Sequence, residues 1–328
     1  MSTFTQEYEL SEEYGDWYAI NSRSRQERRQ QKARTTEKKK GTAVSKTAVI
    51  STLTDFNDDL TDWVPSYAAA LDPHHHERHW VIESVGHFYR ENIITDVTRL
   101  VKGGKEANVY ACTAHPAAGV KMIAAKLYRE RMLRNLKNDA IYKHGRLLRN
   151  ADGKQIKSSR ERRAVLNKSG YGQQLDFMMW VGTEYRAQTM LYEAGADVPK
   201  PIAHNGSSIL MEFIGDEYGA APALNEITLQ QPEATTLFDQ VMDNVRLMLN
   251  HDLIHGDLSA YNILYWEGKI WLIDFPQVIE ARNNPHAFDL LQRDITRVCE
   301  YFASFSVKSD PITLAYDLWS TYMGGQLY

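Results

Sequence analysis

Nothing in these 328 residues forms an apolar run of the roughly 18 residues that a membrane-spanning helix requires. The first seventeen, "MSTFTQEYELSEEYGDW", carry no base and no apolar block, whereas a secretion signal is basic and then apolar. A cytoplasmic location without a membrane partner is expected. Cysteine is almost absent: Cys112 and Cys299 lie far apart, each inside a probable regular element. Reduced, packed thiols are expected rather than a disulfide or metal framework. There is no internal repeat, no G-x-x-x-x-G-K-[ST] loop and no complete G-x-G-x-x-G.

What is present suffices for a full core: the chain is 43% hydrophobic, and its length suggests two domains or one two-lobed domain with extensions. The net charge of −4 conceals an uneven distribution. Residues 1–20 hold five acids and no base, residues 21–46 ten bases and two acids, and residues 129–168 thirteen bases and four acids. Such blocks are either plain solvated, disordered arms or contacts for a polyanion such as RNA. Residues 1–48 read as a disordered acidic and basic tail. Residues 49–90 read as a helical extension, because "RHWVIESVGHFYRENIITDVTRLV" has the pattern of a helix running into a strand. Within it "DPHHHERHW" gathers His74, His75, His76 and His79. Neighbouring histidines point in different directions and no second ligand pair has suitable spacing, so no metal is assigned there.

From "ITDVTRLV" through "NVYACTA" to "KMIAAKLY" the alternation predicts a three-strand antiparallel meander. In its first turn, "KGGKEA", Gly103 and Gly104 let backbone amides approach something closely and Lys105 adds charge, although a tight hairpin needs glycine too. Lys126 interrupts an apolar strand, which calls for an edge position or an anionic partner. Glu184 is available, on a helix that Trp180, Tyr185, Met190 and Leu191 suggest and that ends near Gly195. "VPKPIAHNGSSILMEFIG" then reads as a turn and a strand broken at Gly215, where a second lobe begins. A helix follows, with Leu237, Val241, Val245, Leu247 and Leu249 as its buried positions.

Next comes "HGDLSAYNILYWEGKIWLIDF", a loop and then a hairpin turning at Glu267 and Gly268. It brings Asp257, Asn262 and Asp274 to one end, where two acids and an amide oxygen supply ligands for magnesium and an acceptor for a hydroxyl proton. Singly, each has a bland reading: a turn cap, an Asn bonding its own backbone, a strand end. Together with an in-strand lysine and an upstream glutamate, coincidence is improbable. The order lysine, glutamate, linker strand, H-G-D-x-x-x-x-N, I-D-F is that of the protein-kinase-like fold.

"GGKEANVY", "AAKLY", "ILMEFIG", "HGDLSAYNILY" and "IDFPQ" together resemble the RIO family of atypical serine/threonine kinases, over residues from about 80 to 305. Without a winged helix before "ENIITDV", the likeness is to the branch lacking that module. The resemblance implies an α+β, two-lobed kinase-like fold of reduced type. Its N-lobe, an antiparallel sheet plus a helix, would span 91–215 with a basic flexible insertion at 129–172, and a mainly helical C-lobe would span 216–328. It implies that ATP is held by Gly103, Gly104, Lys105 and Lys126, with Glu184 pairing Lys126. Met211 resembles the gatekeeper and Glu212, Phe213 and Ile214 the hinge that receives adenine. Asp257 and Asp274 would be catalytic beside Lys126, Asn262 and Asp274 would hold magnesium, and Asp274 would be the site of a phosphoaspartate. His255 is expected to brace the loop and Phe275 to pack.

The chain departs from ordinary protein kinases in having Pro276 where D-F-G has glycine, and no A-P-E among the 54 residues after Asp274. It departs from the family's usual S-T-G-K loop start in reading "KGGK". Missing the usual peptide-docking platform favours an ATPase-type switch, or a protein substrate held elsewhere, including the chain itself. By resemblance the setting would be maturation of the small ribosomal subunit, contacted with pre-ribosomal RNA through segments 21–46 and 129–168. Two other readings stand beside this one: a small-molecule phosphotransferase of the aminoglycoside-kinase type, and a non-catalytic RNA-binding scaffold.

Overall fold

The computed structural model describes residues 63–129, 159–167 and 169–324. The tail 1–48, residues 49–62 of the expected extension, basic segment 21–46 and most of segment 129–168 lie outside them. The described chain begins with a short helix, α1 (Ser66–Ala69), and a longer one, α2 (His76–Arg90). Strands β1 (Ile94–Lys102), β2 (Ala107–Ala114) and β3 (Met122–Tyr128) form the meander, and β4 (Pro201–His204) and β5 (Ser208–Glu212) complete a five-stranded antiparallel sheet in the order β1-β2-β3-β5-β4. Between β3 and β4 come α3 (Ser159–Leu166) and α4 (Gly170–Glu193).

The alternation of apolar residues builds this sheet as anticipated for the meander. Val81, Val85 and Phe88 of α2 pack on Val97, Tyr110, Ile123 and Leu127, so the helix is part of the sheet's own core. Elsewhere, α4 supplies Phe177, Trp180 and Val181 to a cluster with Tyr128 and Ile209. Where one strand was expected after Pro199, the chain makes a hairpin of two. Gly206, at φ +84°, turns it, and Pro201 is tolerated because β4 is an edge strand that needs no further donor. The expected flexible insertion to residue 172 is corrected at its end: 159–166 are helical and α4 already starts at Gly170. These two helices cross so closely that a Cβ on Gly172 would lie 1.9 Å from the Ala164 carbonyl oxygen.

After Gly215, at φ +135°, the second lobe is built on α5 (Gln231–Asn250), α6 (Ala287–Ala303) and α7 (Pro311–Met323). Short strands β6 (Leu253–Ile254), β7 (Ile263–Trp266), β8 (Lys269–Leu272) and β9 (Ile279–Glu280) lie between α5 and α6. On α5, Leu237, Val241, Val245 and Leu249 are buried as their spacing predicts. Leu247 is only half-buried, and Met248 takes the inward position. The β7–β8 turn uses Glu267 and Gly268, both left-handed, which is the geometry of a two-residue hairpin turn matched to strand twist. Among the described residues no helix is long and apolar enough to cross a membrane.

Candidate active site

Lys126 enters the site from β3. Its Nζ lies 2.6 Å from Glu184 Oε1 on α4 and 2.5 Å from Asp274 Oδ1 after β8. The in-strand lysine and the helical glutamate therefore meet across 58 residues of sequence. Burial works against the ammonium, yet the two carboxylates outweigh it and hold Lys126 above the ordinary lysine range. For Glu184, burial dominates and pushes its proton affinity up despite the lysine. Asp274 goes the other way: burial would raise it, but Lys126 holds it below the usual carboxylate value. The result is one fixed cation between two acids of unequal character.

Asp274 is placed by strain and by neighbours. Its φ is +71°, a left-handed backbone uncommon for a residue with a side chain. The residue before it is pinned at both ends: Ile273 N–H donates to the Asn262 carbonyl at 3.0 Å, and the Ile273 carbonyl faces His255 Nε2 at 3.1 Å. Since His255 Nδ1 accepts from Asp257 N–H at 3.3 Å, the proton of a neutral ring sits on Nε2. Burial keeps that ring's pKa below the ordinary histidine value. His255 is thus a brace between the two acidic segments, and Phe275 packs fully buried beside it with ring centroids 4.8 Å apart. Trp180 Nε1 donates to the Pro276 carbonyl at 3.1 Å, so α4 also holds the segment that follows.

Asn262 ends a single helical turn just before β7, and its Nδ2 donates to the Asp257 carbonyl at 2.9 Å. That commits the amide nitrogen and leaves Oδ1 as the atom to face a cation. With the Asp274 carboxylate across the hairpin, the donors are hard oxygens, which suits magnesium and excludes a soft-metal site. Asp257 stands at the open side, its Oδ1 2.8 Å from Arg297 NH1, with both side chains about two-fifths exposed at 39% and 40%.

The other anticipated nucleotide contacts fall at the cleft between the sheet and the linker. Ala111, Ala124 and Phe213, with Val101, Val109 and Met211, form an apolar cluster of suitable composition for a flat base. Met211 lies opposite Ala124 in the β3–β5 pair, and its sulfur accepts from Gln188. Two hinge groups are already used: Glu212 N–H donates to the Lys200 carbonyl and the Ile214 carbonyl accepts from Ala221. The Glu212 N–H is thereby committed, while the Ile214 carbonyl keeps a second lone pair. At the β1–β2 turn, a Cβ on Gly104 would meet the Ala107 carbonyl oxygen at 2.7 Å, whereas Gly103 has ordinary room. Lys105 is exposed and forms no ion pair with any described residue.

A RIO domain model matches residues 108–314, more than half of the chain. This chain belongs to the RIO family. Similar relatives include the serine/threonine-protein kinase rio1 of Schizosaccharomyces pombe, 31% identical over 217 residues that make up 64% of this chain and 38% of that protein. The RIO-type serine/threonine-protein kinase Rio1 of Thermoplasma acidophilum is 33% identical over 133 residues, 40% of this chain and 68% of that one. The chain spans well under two thirds of the length of its eukaryotic RIO relatives, 34% in the case of human RIO1. Among solved structures, the Rio2 kinase of Chaetomium thermophilum in its ADP/Mg2+-phosphoaspartate complex matches with a TM-score of 0.52 at 20% identity, covering 74% of this chain and 66% of that one. The fold is the two-lobed kinase-like fold.

Within this RIO domain several functional neighbours were not apparent from the sequence. Asp294 on α6 accepts from Gly256 N–H at 2.8 Å, and Arg293 donates to the Gly256 carbonyl. Burial pushes the Asp294 carboxyl up to about 7. Asn108, buried, accepts from Gly104 N–H at 3.3 Å and from Arg129 at 3.1 Å, while its amide donates to Tyr110 and Glu77. The glycine turn is thereby tied to α2. Most of these contacts join segments remote in sequence, the ties from Asn108 to Gly104 and Tyr110 excepted, and no local pattern announces them.

Proposed function

We propose that the chain is a Mg-ATP-dependent phosphotransferase of the RIO type, a serine/threonine kinase or ATPase that passes the ATP γ-phosphate to protein. The observation that carries this reading is the meeting of Lys126, Glu184 and Asp274 within 2.6 Å contacts, beside a loop that sets Asp257 and Asn262 at the same end of the β7–β8 hairpin. Phosphoryl transfer needs little covalent help from a protein; it needs positioning and neutralisation of charge. Lys126, fixed by Glu184, would hold the α- and β-phosphates. Asn262 and Asp274 would hold magnesium, which when bound neutralises charge on the phosphates. Asp257 takes the proton of an acceptor hydroxyl, and Asp274, an oxygen nucleophile, is the site at which a phosphoaspartate would form. The Rio2 structure matched above holds a phosphoaspartate with ADP and Mg2+, and this supports the same chemistry here.

The acceptor is a protein substrate or the chain itself. A role in small ribosomal subunit maturation, reached through basic segments 21–46 and 129–168, and a cytoplasmic site of action are part of the proposal and rest on family likeness and on charge. The test is an acid-quenched incubation with γ-labelled ATP and Mg2+, comparing the wild type with Asp257→Ala and Asp274→Asn. Phosphate release with a hydroxylamine-labile protein label that disappears in Asp274→Asn supports the phosphoaspartate cycle. A hydroxylamine-resistant label points to serine or threonine instead. ATP binding with neither label nor phosphate release refutes phosphotransfer and favours a scaffold.

A further inference from the structure

Arg293 and Arg297 lie one turn apart on α6 and serve the catalytic loop in different ways. Arg293 donates to the Gly256 carbonyl while Asp294 accepts from Gly256 N–H, so the loop backbone is anchored without Arg297. Arg297 also acts electrostatically on Asp294, but among the described residues its hydrogen-bonded ion pair is with Asp257, through NH1 at 2.8 Å, and its side chain remains 40% exposed. A guanidinium carries five N–H donors in a planar fork, and a single contact leaves most of them at the mouth of the cleft. This asymmetry calls for a ligand.

Charge indicates which. Asp257 and Asp274 both act electrostatically on Glu106, and Lys126 is already shared between Glu184 and Asp274. Negative charge spreads over the γ-phosphoryl oxygens during transfer, and the acceptor side of the cleft needs a cation to meet it. Arg297 is the cation in contact with Asp257. We propose that Arg297 is a catalytic residue whose guanidinium reaches the oxygens of the transferring γ-phosphoryl group, an arginine supplied from the chain's own C-lobe helix. As the bond from the acceptor oxygen to phosphorus forms, the bond to the β-phosphate oxygen breaks with its electron pair leaving on ADP. A hydroxyl acceptor's proton passes to Asp257. The proposal rests on the phosphotransfer reading above.

The test measures binding of ADP with Mg2+, alone and with aluminium fluoride, to the full chain and to Arg297→Gln and Arg297→Lys. Aluminium fluoride imitates the phosphoryl group in flight and needs no protein substrate. The wild type is expected to bind the fluoride complex at least about 10-fold more tightly than ADP. Arg297→Gln is expected to lose most of that increment while its ADP affinity stays within about 2-fold, with kcat for phosphate release down about 100-fold and KM for ATP little changed. Arg297→Lys should recover part of both, since it restores charge without the fork. An unchanged fluoride increment in Arg297→Gln overturns the proposal and leaves phosphotransfer standing. A faster Arg297→Gln also overturns it, and makes the ion pair a latch on Asp257. A wild type that binds ADP with no fluoride increment and no phosphate release overturns both.

Discussion

The cleft sets two cations against its acids, alike on paper and different in setting. On the sheet side, Lys126 is buried with Glu184 and reaches Asp274; on the helical side, Arg297 meets Asp257 in the open. Removing one member of a buried pair strands an uncompensated charge, and an exposed pair has water to replace it. The first pair therefore fixes the architecture, and the second is free to exchange partners during a reaction. A rigid side and an adaptable side together suit a site that must hold a nucleotide and admit an acceptor.

The sharpest way to break the comparison is Asp274→Asn, which keeps the shape but removes the charge opposite Lys126. Phosphate release is expected to fall by about 10³-fold or more, because the substitution removes both a proposed magnesium ligand and the proposed nucleophile. Next comes stability. In urea unfolding, Lys126→Met should cost about 3–5 kcal/mol because Glu184 is left buried without its cation. Arg297→Gln should cost under about 1 kcal/mol. Equal losses would erase the distinction between the two sides.

A third test probes what anchors the open side. Asp294 is an ordinary acid in the unfolded chain and is pushed up to about 7 in the folded one, chiefly by burial. Between those two values the folded protein holds a proton that the unfolded chain has given up, so stability is highest at the acidic end and declines as pH rises through about 7. Asp294→Asn keeps an acceptor for Gly256 and should flatten that decline in unfolding curves taken from pH 5 to 8. An unchanged slope would assign the decline to another group. The smallest effect belongs to Gly104→Ala. With 2.7 Å to the Ala107 carbonyl oxygen the turn must open, and KM for ATP should rise about 10-fold with Tm nearly unchanged. Gly103→Ala, with ordinary room, serves as the control.

Much of this fold was legible because it is local. Alternation gave the three-strand meander, helical spacing gave α5, and a charged residue inside an apolar strand pointed to Lys126. Asp257, Asn262 and Asp274 were legible because a short hairpin joins them, and the structure does place them at one end of it. The β4–β5 hairpin was missed because Pro199 and Pro201 read as a break, although an edge strand accepts Pro201. Arg297 and Asp294 were missed for a different reason. On a helix with a strong apolar face, charged residues look like solvent-facing positions, and only the docking of α6 under the loop shows otherwise. The tie from Asn108 to Gly104 depends on a side chain folding back over its own turn, which spacing alone does not encode.

Trp180 and Glu184 stand four residues apart on α4, so they share one face of one helix. Trp180 grips the carbonyl of Pro276, and Glu184 grips Lys126. One rigid helix thus ties the ammonium of the sheet to the backbone that follows Asp274, so a substitution that repacks its inner face bears on both at once.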